Sequence, residues 1–80
     1  MFESGEIKRR IVERMPDASV EINDLTGGQD HYQVKIVSEA FEGMRAIQRH
    51  RVVYDLFSDV IGGALHALSL QTNTPGEEGS

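Results

Sequence analysis

The sequence predicts an α+β fold: one domain of order α-β-β-α(α)-β, with a three-stranded sheet whose helices pack on one face. Three observations point there. Apolar residues recur at helical spacing in two segments and with strand-like alternation in the others, so the chain changes period along its length. Glycines and a proline fall where the period changes. Eighty residues without a cysteine leave room for one packed core and no disulfide framework.

From Ser4 to Met15, Ile7, Ile11 and Val12 recur at helical spacing among Lys8, Arg9, Arg10, Glu13 and Arg14. This predicts an amphipathic helix with Ser4 as N-cap and Glu6 in its first turn, stopped at Met15-Pro16 because the residue before proline avoids the helical region. Ala18, Val20 and Ile22 then alternate with Ser19, Glu21 and Asn23, the pattern of a strand with one buried face. Asp24 to Asp30 breaks the alternation, and its Gly27-Gly28 pair is turn chemistry. A second strand follows from His31 to Val37, with Tyr32, Val34 and Ile36 on one face, and a hairpin is the simplest pairing of the two.

Ser38 is placed to cap a short turn at Glu39, Ala40 and Phe41, and Gly43 lets the chain redirect. Met44 to Ile61 reads as the longest helix, its packed stripe made of Ile47, His50, Val53, Tyr54, Phe57, Val60 and Ile61. Gly62-Gly63 ends it, and Ala64 to Gln71 reads as a short strand containing His66, Leu68 and Leu70. The domain is therefore expected over residues 1–72, with residues 73–80 a flexible tail, since that stretch holds no apolar side chain. No internal repeat or second domain is visible.

Composition excludes several functions. A chain this short is not expected to enclose a catalytic chamber, so a self-sufficient enzyme is not anticipated. Thirteen acidic against eight basic side chains, a formal charge of -5, disfavour a surface that binds nucleic acid everywhere. No apolar run approaches the ~20 residues of a membrane span, and MFESGEIKRR has neither a signal peptide's apolar core nor an acid-free transit composition. A cytoplasmic protein with no membrane partner is expected.

The groups able to do chemistry are few. No H-x-x-x-H, H-E-x-x-H, Walker A or G-x-G-x-x-G pattern occurs. Gly43 to Tyr54 contains Arg45, Arg49, His50 and Arg51 and no acid, in a chain otherwise rich in acids. Such a stretch, entered through a tight turn, is either a solvated helix face or a phosphate-contacting element. Arg45 and Arg49 share a face, whereas Arg51 lies about 160° behind Arg49, so the three form no single stripe. His50, set in the apolar stripe, reads as a core imidazole bonded to backbone sooner than as a ligand. His31 and His66 fall at or near the starts of two strands. They are either solvated strand ends or, if those starts meet in space, a pair of metal ligands that a partner must complete.

Phe41-Glu42-Gly43-Met44-Arg45, then Arg49-His50-Arg51-Val52-Val53-Tyr54, then His66-Ala67-Leu68-Ser69-Leu70, resemble the BolA family. Tyr32-Gln33-Val34-Lys35-Ile36-Val37-Ser38, directly before the first motif, is similar as well, and the likeness covers roughly residues 5 to 75. The resemblance implies an α-β-β-α-β domain similar to type II KH folds, although no G-x-x-G loop of the nucleotide-clamping kind precedes the long helix. It also implies an adaptor, not an enzyme, that pairs with a monothiol CGFS glutaredoxin. The heterodimer bridges a 2Fe-2S cluster to which glutaredoxin and glutathione give sulfur and the BolA-like chain gives a histidine.

His66 matches that histidine, and the isolated chain is expected to carry no cofactor. A neutral imidazole replacing a thiolate removes negative charge from one iron, which shifts the potential upward and makes ligation pH-sensitive. Relatives often carry a second ligand in the loop between the first two strands. Here Gly28, Gln29 and Asp30 occupy it, and His31 is the nearest candidate. Relatives also continue Thr-Pro-Glu-Glu-Trp into a final helix, whereas Thr74-Pro75-Gly76-Glu77-Glu78 departs from that pattern and no last helix is expected. A second role attributed to the family, DNA-binding transcriptional regulation, would rest on Gly43, Arg45, Arg49, His50 and Arg51. A plain homodimer, with no ligand role for the histidines, is the third reading.

Overall fold

The computed structural model describes residues 3–25, 27–28, 31–63, 65 and 67–78. Helix α1 spans Ser4–Arg14, strand β1 Ser19–Asp24, strand β2 His31–Val37, helix α2 Ala46–Asp55, strand β3 Ala67–Asn73 and the single turn α3 Pro75–Glu78, with a 3₁₀ turn at Glu39–Phe41. The expected order and class hold. Among the described residues no helix is long and apolar enough to cross a membrane.

The sheet order is β1-β2-β3. β1 and β2 form the expected antiparallel hairpin, in register from Ser19 opposite Val37 to Asp24 opposite Tyr32. β3 lies parallel to β2, from His31 opposite Ala67 to Val37 opposite Asn73. A parallel neighbour needs a long crossover, and the 3₁₀ turn, α2 and the turns after it supply that connection. Ile7 and Ile11 of α1, Tyr32, Val34 and Ile36 of β2, Val53 of α2, and Phe41, Phe57, Leu65 and Leu68 form one core on one side of the sheet. Each fully buried Leu, Ile, Val or Phe contributes roughly 1.5–3 kcal/mol, so these residues hold the helices on that face.

Several boundaries move for identifiable reasons. Ser4 is inside α1, not its cap; Glu3 is the N-cap and makes no side-chain cap bond. The 3₁₀ turn is capped as expected, with Ser38 Oγ accepting from the Ala40 amide. Asp17 reinforces it by accepting from the Glu39 amide and the Ser38 hydroxyl, both at 2.8 Å, and those bonds hold its carboxyl below the usual range.

The long helix starts late and ends early. Gly43 has φ 79°, and Arg45 is extended with its amide donated to Gln48 Oε1 at 2.9 Å, so the helix begins at Ala46. After Asp55 the amides of Leu56, Phe57 and Val60 bond three residues back, a tighter winding than the α-helix. This winding tucks Phe57 into the core and presents the Leu56 carbonyl to Arg10 Nη1 at 2.9 Å, with Asp59 Oδ1 on the same guanidinium nitrogen at 2.7 Å.

The expected stripe also splits. Val53 and Phe57 are buried and Tyr54, Val60 and Ile61 half-cover the core, but Ile47 is 61 % exposed and His50 is exposed too. A helix that presents Val53 inward presents Arg49, one turn earlier, inward as well, and this turns Ile47 and His50 away from the core.

At the C-terminal side, β3 covers Ala67–Asn73 and not Ala64 to Gln71, because the pairing with β2 runs for seven residues and carries the strand to the end of its neighbour. Ala64 lies outside the described residues. A final helical turn forms at Pro75–Glu78, which corrects the expectation of none. Glu77 Oε1 accepts from the Thr74 amide at 2.7 Å, and Thr74 Oγ1 accepts from the Glu77 amide at 3.3 Å. This is a capping box with proline at the first helical position, and Thr74 is only 7 % exposed.

Candidate functional site

At one end of the sheet the parallel register brings together the two strand starts that carry or adjoin histidines. β2 buries Tyr32, Val34 and Ile36, so by the period of two His31, Gln33 and Lys35 belong to the opposite, open face. His31 is half-buried and stands opposite Ala67. His66, bonded to Ala67, lies outside the described residues, as do Gln29 and Asp30 of the preceding loop. The condition set by the sequence, that the two strand starts meet, is therefore satisfied for His31 and Ala67.

The chain is anchored on both sides of position 66. Leu65 is fully buried, donates its amide to Val60 O at 3.1 Å and accepts from the Gly62 amide at 2.9 Å. Leu68 is 4 % exposed, pairs with Tyr32, and accepts a hydrogen bond from the Tyr54 hydroxyl through its carbonyl. Among the described residues no group of three or more His, Cys, Asp or Glu side chains is placed to hold a metal ion.

The four basic residues of the acid-free stretch have separate environments. Arg49 is largely buried, with its side chain 12 % exposed. Its Nε donates to Met44 O at 3.0 Å and its Nη1 to Thr72 O at 3.2 Å, while Nη1 and Nη2 grip Glu77 Oε1 and Oε2 at 2.7 and 3.2 Å. The guanidinium carbon sits 5.9 Å from the centre of the Phe41 ring. This fork-to-fork pair, aided by the Thr74 amide, draws the Glu77 carboxyl down to about 2 and raises Arg49 further.

Arg45, His50 and Arg51 are exposed. His50 does not sit in the core bonded to backbone; its ring lies against Tyr54, centroids 4.5 Å apart and tilted by 48°. Gly43 forms the left-handed turn that leads into α2. The structure thus separates Arg49 from the other candidates and ties it to Glu77, a partner that sequence reasoning missed. The signal was present in Thr74-Pro75-Gly76-Glu77, whose spacing is that of a capping box.

The BolA-like protein family profile matches residues 9–77. The chain belongs to the BolA-like family. Human BolA-like protein 1 is 32 % identical over 78 residues, covering 89 % of this BolA-like chain and 57 % of the human protein, so the chain spans little more than half of that relative's length. SufE-like protein 1, chloroplastic/mitochondrial, from Arabidopsis thaliana is 46 % identical over 50 residues, and here the chain spans 14 % of the relative. Among solved structures, BolA1 from Arabidopsis thaliana superposes with a TM-score of 0.84 at 33 % identity, covering 92 % of this chain and 93 % of that one. The BolA domain of SufE1 from the same plant also gives 0.84, at 32 % identity, covering 96 % of this chain and 99 % of that domain. The α+β architecture is that of BolA structures.

Proposed function

We propose that this BolA-like protein is a non-enzymatic, cytoplasmic adaptor that binds a monothiol CGFS glutaredoxin and shares a 2Fe-2S cluster with it, His66 being its iron ligand. The observation that supports this most is the parallel register of β2 and β3, which sets Ala67, the neighbour of His66, opposite His31. The cluster is cargo, held between the imidazole of this chain and the sulfurs of glutaredoxin and glutathione. His31, half-buried at the same sheet end, is the second candidate donor, in place of a loop ligand.

This chain's part is to present an imidazole between Leu65 and Leu68, both held by hydrogen bonds. A neutral histidine binds iron only when its ring nitrogen is free of a proton, so cluster retention should weaken on acidification. The bound cluster supplies iron and sulfide for transfer or a signal of iron status, and imidazole ligation raises its potential.

The test is reconstitution with a CGFS glutaredoxin and glutathione, followed by absorbance, circular dichroism and mass. The wild-type chain should give a heterodimer with a cluster spectrum unlike that of the glutaredoxin alone. His66→Ala should change that spectrum, and an unchanged one defeats the ligand assignment.

A second reading, DNA binding by the turn and helix around Gly43, draws support from the exposure of Arg45, His50 and Arg51. Arg49 contributes little to it, because its guanidinium is engaged by Glu77 and two carbonyls. Retardation of a duplex that falls steeply with salt and weakens in Arg51→Ala would favour this reading.

A further inference from the structure

Arg49 is held by two kinds of partner. Its Nε donates to Met44 O, its Nη1 to Thr72 O, and its guanidinium lies over the ring of Phe41, which is fully buried. These partners belong to the body of the domain. The other edge of the fork, Nη1 with Nη2, is turned to the Glu77 carboxylate.

Glu77 comes from a much weaker element. α3 is one turn of four residues, too short to persist as a helix by itself, and Gly76 inside it lowers its propensity further. Pro75, Gly76 and Glu77 are exposed, and none of them belongs to the core. What docks the turn is the Glu77 carboxylate on Arg49, with the Thr74 capping box at its root. The Glu77 side chain is 49 % exposed against 12 % for Arg49, so the acid has far more access to water than the base.

This asymmetry decides which partner leaves. When the turn swings out, Glu77 is hydrated at once, whereas Arg49 stays aimed by two carbonyls and a ring, with one edge of its fork open. A planar fork of that kind grips carboxylate or phosphate oxygens in pairs. Gly43 to Tyr54 carries no acid, and Arg45, one turn before Arg49, is exposed. That local field favours the more highly charged of the two, a phosphate group.

We propose that α3 is a strap over a phosphate site: the Glu77 carboxylate occupies the Arg49 fork in the closed chain, and a phosphate group takes the same fork when the turn swings away. The site goes beyond the adaptor reading and does not depend on it. Inorganic phosphate, a phosphomonoester and a nucleic-acid backbone share the chemistry that the fork recognises. A site occupied from within is open for only a fraction of the time, and its apparent affinity is lowered by that fraction.

Glu77→Ala removes the internal occupant from the full chain and leaves the fork. Titration with sodium phosphate at constant ionic strength, followed by nuclear magnetic resonance at the Arg49 Nε–H group and the Thr72 amide, should saturate with an apparent affinity about tenfold or more above wild type. Glu77→Ala/Arg49→Lys keeps the positive charge, loses the fork and should lose most of that gain. Glu42→Gln, at an exposed acid just before Gly43, removes one negative charge without touching the fork and should gain less than about twofold. A short DNA duplex used in the same way separates the sources. Tightening toward duplex and phosphate together identifies a nucleic-acid backbone, and tightening toward phosphate alone identifies a small phosphate.

Two results overturn the proposal. An Arg49 resonance that phosphate leaves unmoved in Glu77→Ala removes the site, and that readout does not depend on the folding of the double variant. A gain of equal size in Glu42→Gln, or one that persists in Glu77→Ala/Arg49→Lys, makes the effect one of net charge alone.

Discussion

The two ends of β3 spend their polar groups differently. At the C-terminal end, Arg49, Glu77, Thr74 and the carbonyls of Met44 and Thr72 satisfy one another, and Phe41 lies beneath the guanidinium. At the N-terminal end, His31 stands on the open face opposite Ala67, and the backbone is pinned by Tyr54 and Leu65. An arginine in a motif suggests a ligand, yet here the arginine closes the fold. A charged side chain forgoes water only where enough partners replace it, and Arg49 has them.

The largest effect that would break this contrast is in the clamp's base. Phe41 is fully buried, and Phe41→Ala should cost about 3–5 kcal/mol in urea unfolding. Next, Arg49→Ala should lower the melting temperature clearly, while Arg51→Ala, whose side chain is exposed, should change stability by less than about 0.5 kcal/mol. Equal melting temperatures for the two would mean that Arg49 is a surface residue in solution. Smaller again is Gly43→Ala. Space for a methyl group is open there, so the cost is that of a left-handed backbone alone, about 1–2 kcal/mol by the same urea unfolding.

The smallest effect depends on pH. Arg49 and the Thr74 amide hold the Glu77 carboxyl at about 2, against 4.5 for a free glutamate. A carboxyl with a lowered value stabilises the fold above its unfolded value and loses that contribution as pH falls toward its folded one. The melting temperatures of wild type and Glu77→Gln should therefore differ at pH 7 and converge as pH falls from about 4.5 to about 2. A difference that stays constant across that window removes the ion pair from the account. Glu6, paired with Arg9 and Arg10 and likewise at about 2, titrates in the same window in both proteins and so cancels.

Much of the fold was legible because it rests on local periodicity. Ile7 and Ile11, Val20 and Ile22, and Tyr32, Val34 and Ile36 lie on the faces their spacing assigns, and β2 has the limits read from its alternation. The stripe on α2 was less legible. Ile47, His50, Val53 and Tyr54 suit a common face by period, but the rotation of a helix about its axis is set by what it packs against. Arg49, over Phe41 and against Thr72, took the inward position that an apolar residue was expected to fill.

The sequence by itself determined the element order, the hairpin, the core faces and the family motifs, since each depends on neighbours a few residues apart. Tertiary structure alone decided that β3 joins β2 in parallel, setting Ala67 opposite His31 across 36 positions of sequence, and that Glu77 reaches Arg49 across 28. Those pairings follow from closing long stretches of chain around one core. Spacing along the chain does not encode which distant residues that closure will bring face to face.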